Sequence, residues 1–286
     1  MSRDNEQSAA DIVAAIAATA RPVRTPCGDG TMLWRCWGSG PALVLLHGGH
    51  GAWSHWIRNV QPLAQRFTVI AADMPGFGDS AMAPEPYSAA SLAEILVRGL
   101  ADIVPAGAAF HVTGFSFGGV VGGHVAAQAG ARCASFTLVG SNGLGLQRPD
   151  IEMGSWRRVT DPAELAAVHR RNLGALMIAD PAKIDDVAVH LQTLNTRRTF
   201  IKSRPISRTD TLRTALGQVT AQGTQINGIW GERDATAGSA LADREKLLHE
   251  IQPGARFRVI PGAGHWVAYE AADAFNATLS GLLTTG

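Results

Sequence analysis

Phe110-His111-Val112-Thr113-Gly114-Phe115-Ser116-Phe117-Gly118-Gly119 is the stretch from which the rest of this chain is read. An apolar run ends in G-x-S-x-G, and small residues suited to a close-packed helix follow at 119–127. The pattern is strand, sharp turn, helix. In such a turn a serine sits in a strained backbone conformation and its hydroxyl stands clear of the sheet. Gly114 and Gly118 leave room where the chain doubles back on itself. The helix behind Ser116 directs its free N–H groups and the positive end of its dipole at that hydroxyl.

Working outward, apolar runs at 42–46, 67–72, 135–140, 226–230 and 255–260 read as strands covered on both faces. Helical patterns alternate with them at 53–66, 88–104, 238–251 and from 266 towards 283, the second capped by Ser88 or Ser91. Segments 22–26 and 31–37 read as a hairpin around Gly28-Asp29-Gly30, preceded by an Ala-rich helix in the first 20 residues. The fold class is therefore α/β: a mostly parallel twisted sheet with helices on both faces. Between 141 and 225 no strand-like run occurs, and helical patterns fill 161–173, 180–193 and 210–219. A segment of that length is no ordinary βα loop, so it reads as a helical cap inserted into a core formed by 1–140 and 226–286.

Bulk properties narrow the function classes. A chain of 286 residues with 46% hydrophobic content can bury a sizeable core. Its net charge of +1 and lack of a long basic run leave no electrostatic footprint for nucleic acid. No apolar run reaches the length of a membrane span. Three cysteines, Cys27, Cys36 and Cys133, without C-x-x-C spacing suggest reduced, buried thiols rather than a disulfide framework or a metal site. An A-x-A pattern near residue 20 hints at a signal peptide, but Asp4, Glu6 and Asp11 make the leading region acidic, which points to a cytoplasmic protein.

In parallel sheets, ligands bind beyond the C-terminal ends of the strands. His47, Ser116, Asp234 and His265 all follow such ends, and the cap would close over them. A serine hydroxyl needs a base to take its proton, and the base needs an acid to fix its tautomer. The order Ser116, Asp234, His265 is the one expected of a nucleophile elbow in an open α/β sheet. Glu232, two residues before Asp234, is its nearest rival. Two N–H donors are needed for the oxyanion, and Phe117 and Gly49, in the glycine-rich loop from His47 to Gly51, are the candidates. His47 would brace that loop.

His47-Gly48-Gly49, Asp73-x-Pro75-Gly76-x-Gly78-x-Ser80, Gly114-x-Ser116-x-Gly118-Gly119, Gly231-x-x-Asp234 and Gly264-His265-x-x-x-x-Glu270 together resemble the α/β-hydrolase superfamily, of the capped single-domain type. The resemblance covers the chain from about residue 30 onward, the cap excepted. It implies a cofactor-free, metal-free serine hydrolase acting on a small-molecule substrate through an acyl-enzyme. It excludes relatives that place aspartate at the elbow, such as haloalkane dehalogenases and epoxide hydrolases. Many relatives read H-G-x-P where this chain has His50, which either adds a polar group to the pocket or alters the loop path.

Substrate class is less constrained. Phe115, Trp53, Trp56 and Trp266 are candidates to line a pocket. The basic run Arg197, Arg198, Lys202, Arg204, Arg208 and Arg213 is either a solvated face, a contact between copies in a homo-oligomer, or a source of an arginine such as Arg197 for a substrate carboxylate. Relatives that hydrolyse C–C bonds in diketone-like ring-cleavage products are expected to carry asparagine before the serine, an arginine in the cap and tryptophan after the histidine. Here the first place is Phe115, the matching cap stretch 187–192 lacks arginine, and only Trp266 agrees. A carboxylic ester is therefore the expected substrate, with C–C cleavage as the alternative. A non-catalytic ligand-binding protein of the same fold is the alternative of another class.

Overall fold

The computed structural model describes the backbone of residues 3–284 and the side chains of 8–284. Asp4 and Glu6, which argued against a signal peptide, have side chains outside that range. In chain order, α1 (Arg3–Ala18) leads into β1 (Arg21–Cys27), β2 (Gly30–Trp37) and β3 (Ala42–Leu46). A 3₁₀ turn (Trp53–Trp56), α2 (Val60–Leu63), β4 (Thr68–Ala72), α3 (Ala89–Ile103), β5 (Phe110–Phe115), α4 (Phe117–Ala129) and β6 (Cys133–Val139) follow. Then come α5 (Pro162–Asn172), α6 (Asp186–Arg197), α7 (Ser203–Ser207) and α8 (Thr211–Ala221). The chain closes with β7 (Gln225–Gly231), α9 (Leu241–Ile251), β8 (Arg256–Ile260), α10 (Val267–Glu270) and α11 (Ala272–Thr284).

The eight strands form one sheet in the order β1-β2-β4-β3-β5-β6-β7-β8. The β1–β2 and β2–β4 pairs are antiparallel, and the other five are parallel. Along β3, Leu43 and Leu45 enter the core on one face while Val44 and Leu46 enter the core on the other. This two-sided burial is why the strand reads as an unbroken apolar run rather than an alternating one. Ser88 caps α3 through a reciprocal bond with Ser91, so both serines act as one capping box.

Several expected helices differ. Segment 53–66 is a 3₁₀ turn followed by the short α2, because Pro62 has no N–H and its ring crowds the preceding turn. The last helix is split at Ala271, whose φ of −128° and ψ of 51° leave the helical region. In the inserted segment, α6 starts only at Asp186, where Asp185 accepts the Ala188 N–H, and a 3₁₀ turn at Pro181–Lys183 precedes it.

β6 and β7 are neighbours in the sheet, yet 85 residues in the numbering, 140–224, lie between them. The chain leaves the sheet and returns beside its point of departure. Within this segment α8 packs on α4, and its Leu212, Leu216 and Val219 belong to the same core as Val121 and Val125. α5 and α6 pack on each other and contribute Ala166, Ala188, Val189 and Leu191 to the opposite core. One bridge, Phe77 to Thr199, links the segment to the loop after β4.

Candidate functional site

The turn between β5 and α4 is built on close backbone approach. A Cβ at Gly114 would lie 2.3 Å from the Gly118 carbonyl oxygen, and one at Gly118 would lie 2.2 Å from that of Leu46. Only glycine fits either place. Between them Ser116 has φ 52° and ψ −112°, a conformation that costs an L-residue about 1–3 kcal/mol. The Ser116 N–H donates to Val139 O at 2.8 Å and its carbonyl accepts the Gly119 N–H at 3.1 Å, which holds the strained residue in place.

Ser116 Oγ lies 3.1 Å from His265 Nε2. His265 is buried in the loop after β8, and its Nδ1 lies 2.9 and 3.0 Å from the two oxygens of Asp234. Asp234 accepts two more bonds at Oδ1, from the Thr236 N–H and hydroxyl, both at 2.8 Å. Burial pushes the Asp234 carboxyl up, but the imidazole of His265 and the hydrogen bonds from His265 and Thr236 outweigh it and hold the carboxyl below its usual range. An ionised Asp234 can only accept, so His265 carries its proton on Nδ1. In the neutral ring Nε2 then presents its lone pair to the serine hydroxyl. Arg244 supports this loop by donating to Thr236 O at 3.0 Å. Glu232, the rival acid, instead accepts the Gly262 N–H at 2.8 Å.

The glycine-rich loop is fixed by two neutral histidines. His47 Nε2 accepts the Met74 N–H at 3.0 Å, so its Nδ1–H donates to Gly48 O at 2.8 Å. The Gly48 N–H donates in turn to His55 Nδ1 at 3.2 Å. Burial lowers the His47 pKa to about 4. Burial and three neighbouring histidines push His55 well below its ordinary value. With Gly48 committed, the Gly49 N–H and the Phe117 N–H have no acceptor among the described residues, and both residues line the cavity over Ser116.

That cavity has a volume of about 250 Å³. Ser116, His265, Gly49, Phe117 and Phe115 line it from the sheet side, and Met153, Leu176 and Met177 from the inserted segment. Phe115 offers no hydrogen bond; its ring lies 5.0 Å from that of His265 and against Gly48. His50 also lines the cavity, in a left-handed backbone conformation with φ 53°. Four candidates lie elsewhere. Trp266 is buried away from the cavity, stacked on Tyr269 at 4.2 Å, and its indole N–H donates to His55 O at 2.8 Å. Arg197 is exposed on α6 and outside the lining, and Trp53 and Trp56, both buried, are outside it too. The arginines in the lining are Arg148, Arg204 and Arg208, of which sequence reasoning singled out only the last two, as part of a run.

Among the described residues no three His, Cys, Asp or Glu side chains gather to hold a metal, and no helix is long and apolar enough to cross a membrane.

This arrangement can be set beside known proteins. The chain is 31% identical over 257 residues to the dihydrolipoyllysine-residue acetyltransferase component of the acetoin cleaving system of Pseudomonas putida. That match covers 85% of the chain and 64% of the relative, so the chain spans under two thirds of that protein's length. It is 30% identical over 264 residues to a 2-hydroxy-6-oxo-6-phenylhexa-2,4-dienoate hydrolase of Burkholderia cepacia, covering 87% of the chain and 90% of the relative. A serine hydrolase from the polyaromatic hydrocarbon-degrading bacterium Cycloclasticus zankles shares the fold with a TM-score of 0.69 at 22% identity, over 91% of this chain and 96% of that one. The model of the alpha/beta hydrolase family matches residues 43–278, from β3 to α11, and the chain belongs to that family.

Proposed function

We propose that the chain is a serine hydrolase that cleaves a small or medium carboxylic ester through an acyl-enzyme. Ser116 is the nucleophile, His265 the general base and Asp234 the acid that orients it. The N–H groups of Gly49 and Phe117 receive the oxyanion, and residues 141–225 act as the cap that shapes the pocket. The observation that carries this reading is the relay from Ser116 Oγ to His265 Nε2 at 3.1 Å and from His265 Nδ1 to Asp234 at 2.9 Å. It lies beside two N–H groups with no partner among the described residues.

In the reaction, Ser116 Oγ forms a bond to the carbonyl carbon while its proton passes to His265 Nε2. The tetrahedral intermediate places its negative oxygen at the Gly49 and Phe117 N–H groups. Each such donor is worth about 2.7–4 kcal/mol of transition-state stabilisation. Collapse breaks the C–O bond, and His265 returns its proton to the departing alcohol. Water then repeats the sequence on the acyl-serine, releasing the acid. No cofactor enters the scheme.

The relation to the dienoate hydrolase favours a second reading, cleavage of a C–C bond in a diketone-like ring-cleavage product. Against it, Phe115 places a hydrocarbon ring where such a reaction would want a donor for the enolised substrate. An ester brings its own leaving group and needs only the oxyanion donors. The test compares kcat/KM for a short-chain aryl ester and a dienol-type diketone, on wild type and on Ser116→Ala. The ester should be the better substrate, and its turnover should fall by several orders of magnitude in the variant. A diketone preferred by more than about a hundredfold overturns the ester reading.

A further inference from the structure

The cavity over Ser116 is apolar around the serine but positively charged along one side, where Arg148, Arg204 and Arg208 line it. Asp150 is the one carboxylate in that lining, and none of the three arginines forms an ion pair among the described residues. A second cavity of about 330 Å³ adjoins the first. Arg148, Asp150, Ser207 and Arg208 line both, and Arg244 and Asn142 belong to the second alone.

This concentration of charge is local, since the whole chain carries a net charge of only +1. Arg148 is half-buried; burial, and then the charges of Arg208, Arg204 and Arg244, disfavour its cationic form, and Asp234 alone relieves it. Asp234, however, is already committed to His265 and Thr236. Arg244 is buried and spends two of its N–H groups on the carbonyls of Ala240 and Thr236, at 2.8 and 3.0 Å. Asp150 is the one carboxylate set against these guanidinium groups in the lining of either cavity, so a net positive charge is left there for an incoming anion to neutralise. The planar guanidinium forks suit the two or three oxygens of a carboxylate or phosphate.

We propose that the second cavity is a subsite for an anionic group at the remote end of the substrate, so that the enzyme takes esters bearing a carboxylate or a phosphate several atoms from the scissile carbonyl. This rests on the serine-hydrolase reading for the reaction, though the binding itself does not. The acyl or alcohol chain would lie along the apolar part of the first cavity, and its charged end would cross the shared wall at Arg148 and Arg208.

The experiment has a kinetic and a binding arm. Methyl monoesters of straight-chain dicarboxylic acids and 4-acetoxybutyrate carry the anion on the acyl and alcohol sides respectively; each is compared with its uncharged isostere. Wild type should prefer at least one anionic ester by about tenfold or more in kcat/KM, and added salt should shrink that preference. Arg148→Ala and Arg208→Ala should each bring the ratio to within about threefold of unity. Arg208 is exposed, so its variant serves if Arg148→Ala does not fold. In the binding arm, calorimetry on Ser116→Ala measures adipate and butyl phosphate, and the tighter of the two identifies the anion. Binding that is lost in the arginine variants supports the subsite even if no ester is turned over, in which case only the reaction assignment fails. A neutral ester preferred by wild type, or equal losses for charged and neutral esters in both variants, overturns the subsite.

Discussion

Glu270 Oε2 accepts the Gly264 N–H at 2.7 Å, one residue ahead of His265. The same carboxylate reaches the inserted segment, accepting the Ala179 N–H at 3.0 Å and the Asp180 N–H at 2.8 Å. One buried side chain therefore ties the histidine loop to residues 179–180. The Trp266 N–H, which donates to Met177 O at 2.7 Å, adds a second tie.

Glu270→Gln keeps the size of the side chain but turns an amide NH₂ toward backbone donors. Leaving a buried donor unsatisfied costs about 1–3 kcal/mol. Urea unfolding at neutral pH should show a loss of that order, and kcat should drop because His265 is positioned less firmly. An unchanged unfolding midpoint would mean that the carboxylate does not brace the loop.

Stability should depend on acid through the histidines of the glycine-rich loop. The folded His47 has a pKa of about 4 against an ordinary 6.5, and His55 is also displaced well downward. As pH falls below 6.5 the unfolded chain takes up protons that the folded rings refuse. The contribution of His47 is thus complete above that value and is lost on the way down to about 4, by up to about 1.4 kcal/mol per pH unit, and His55 adds a loss in the same direction. Asp234, whose folded pKa lies below 3.8, adds a loss in the same direction at still lower pH. Urea midpoints measured from pH 7 to pH 5 should fall, and less steeply in His47→Asn, which cannot titrate. A flat wild-type profile contradicts this.

All three cysteines are free and buried. Burial raises the thiol pKa of Cys27 and Cys36, and that of Cys133 to about 12, so little thiolate forms at neutral pH. A disulfide reagent should leave the native enzyme unmodified and active, and should titrate all three thiols in denaturant. Rapid modification of the native protein is the contrary result.

The residues that meet around Ser116 were legible because each follows a strand end within a short glycine-rich pattern. Parallel strands then bring distant ends together: Phe115 pairs with Val139, and Val139 with Ile229. What stayed hidden depends on how longer segments fold over the sheet. Arg197 and Arg204 belong to one basic run, yet only Arg204 lines the cavity, because the chain turns between α6 and α7. Arg148 lies in the loop leaving β6, where no periodicity assigns a face. Trp266 adjoins His265 in sequence, but its indole is directed to the His55 carbonyl rather than to the cavity. The helix expected at 53–66 ignored Pro62, whose lost N–H was visible all along.

Turnover in the proposed reaction depends on Ser116 being a nucleophile activated by His265. A fluorophosphonate reacts with an activated serine, whose Oγ displaces fluoride and keeps the phosphonyl group. Intact-protein mass spectrometry after such treatment should show one adduct, mapping to Ser116 in its peptide, with concurrent loss of esterase activity. Ser116→Ala should remain unmodified, and Asp234→Asn should react far more slowly because His265 loses its orienting acid. An unlabelled wild-type protein, or a label on any other residue, would contradict the assignment.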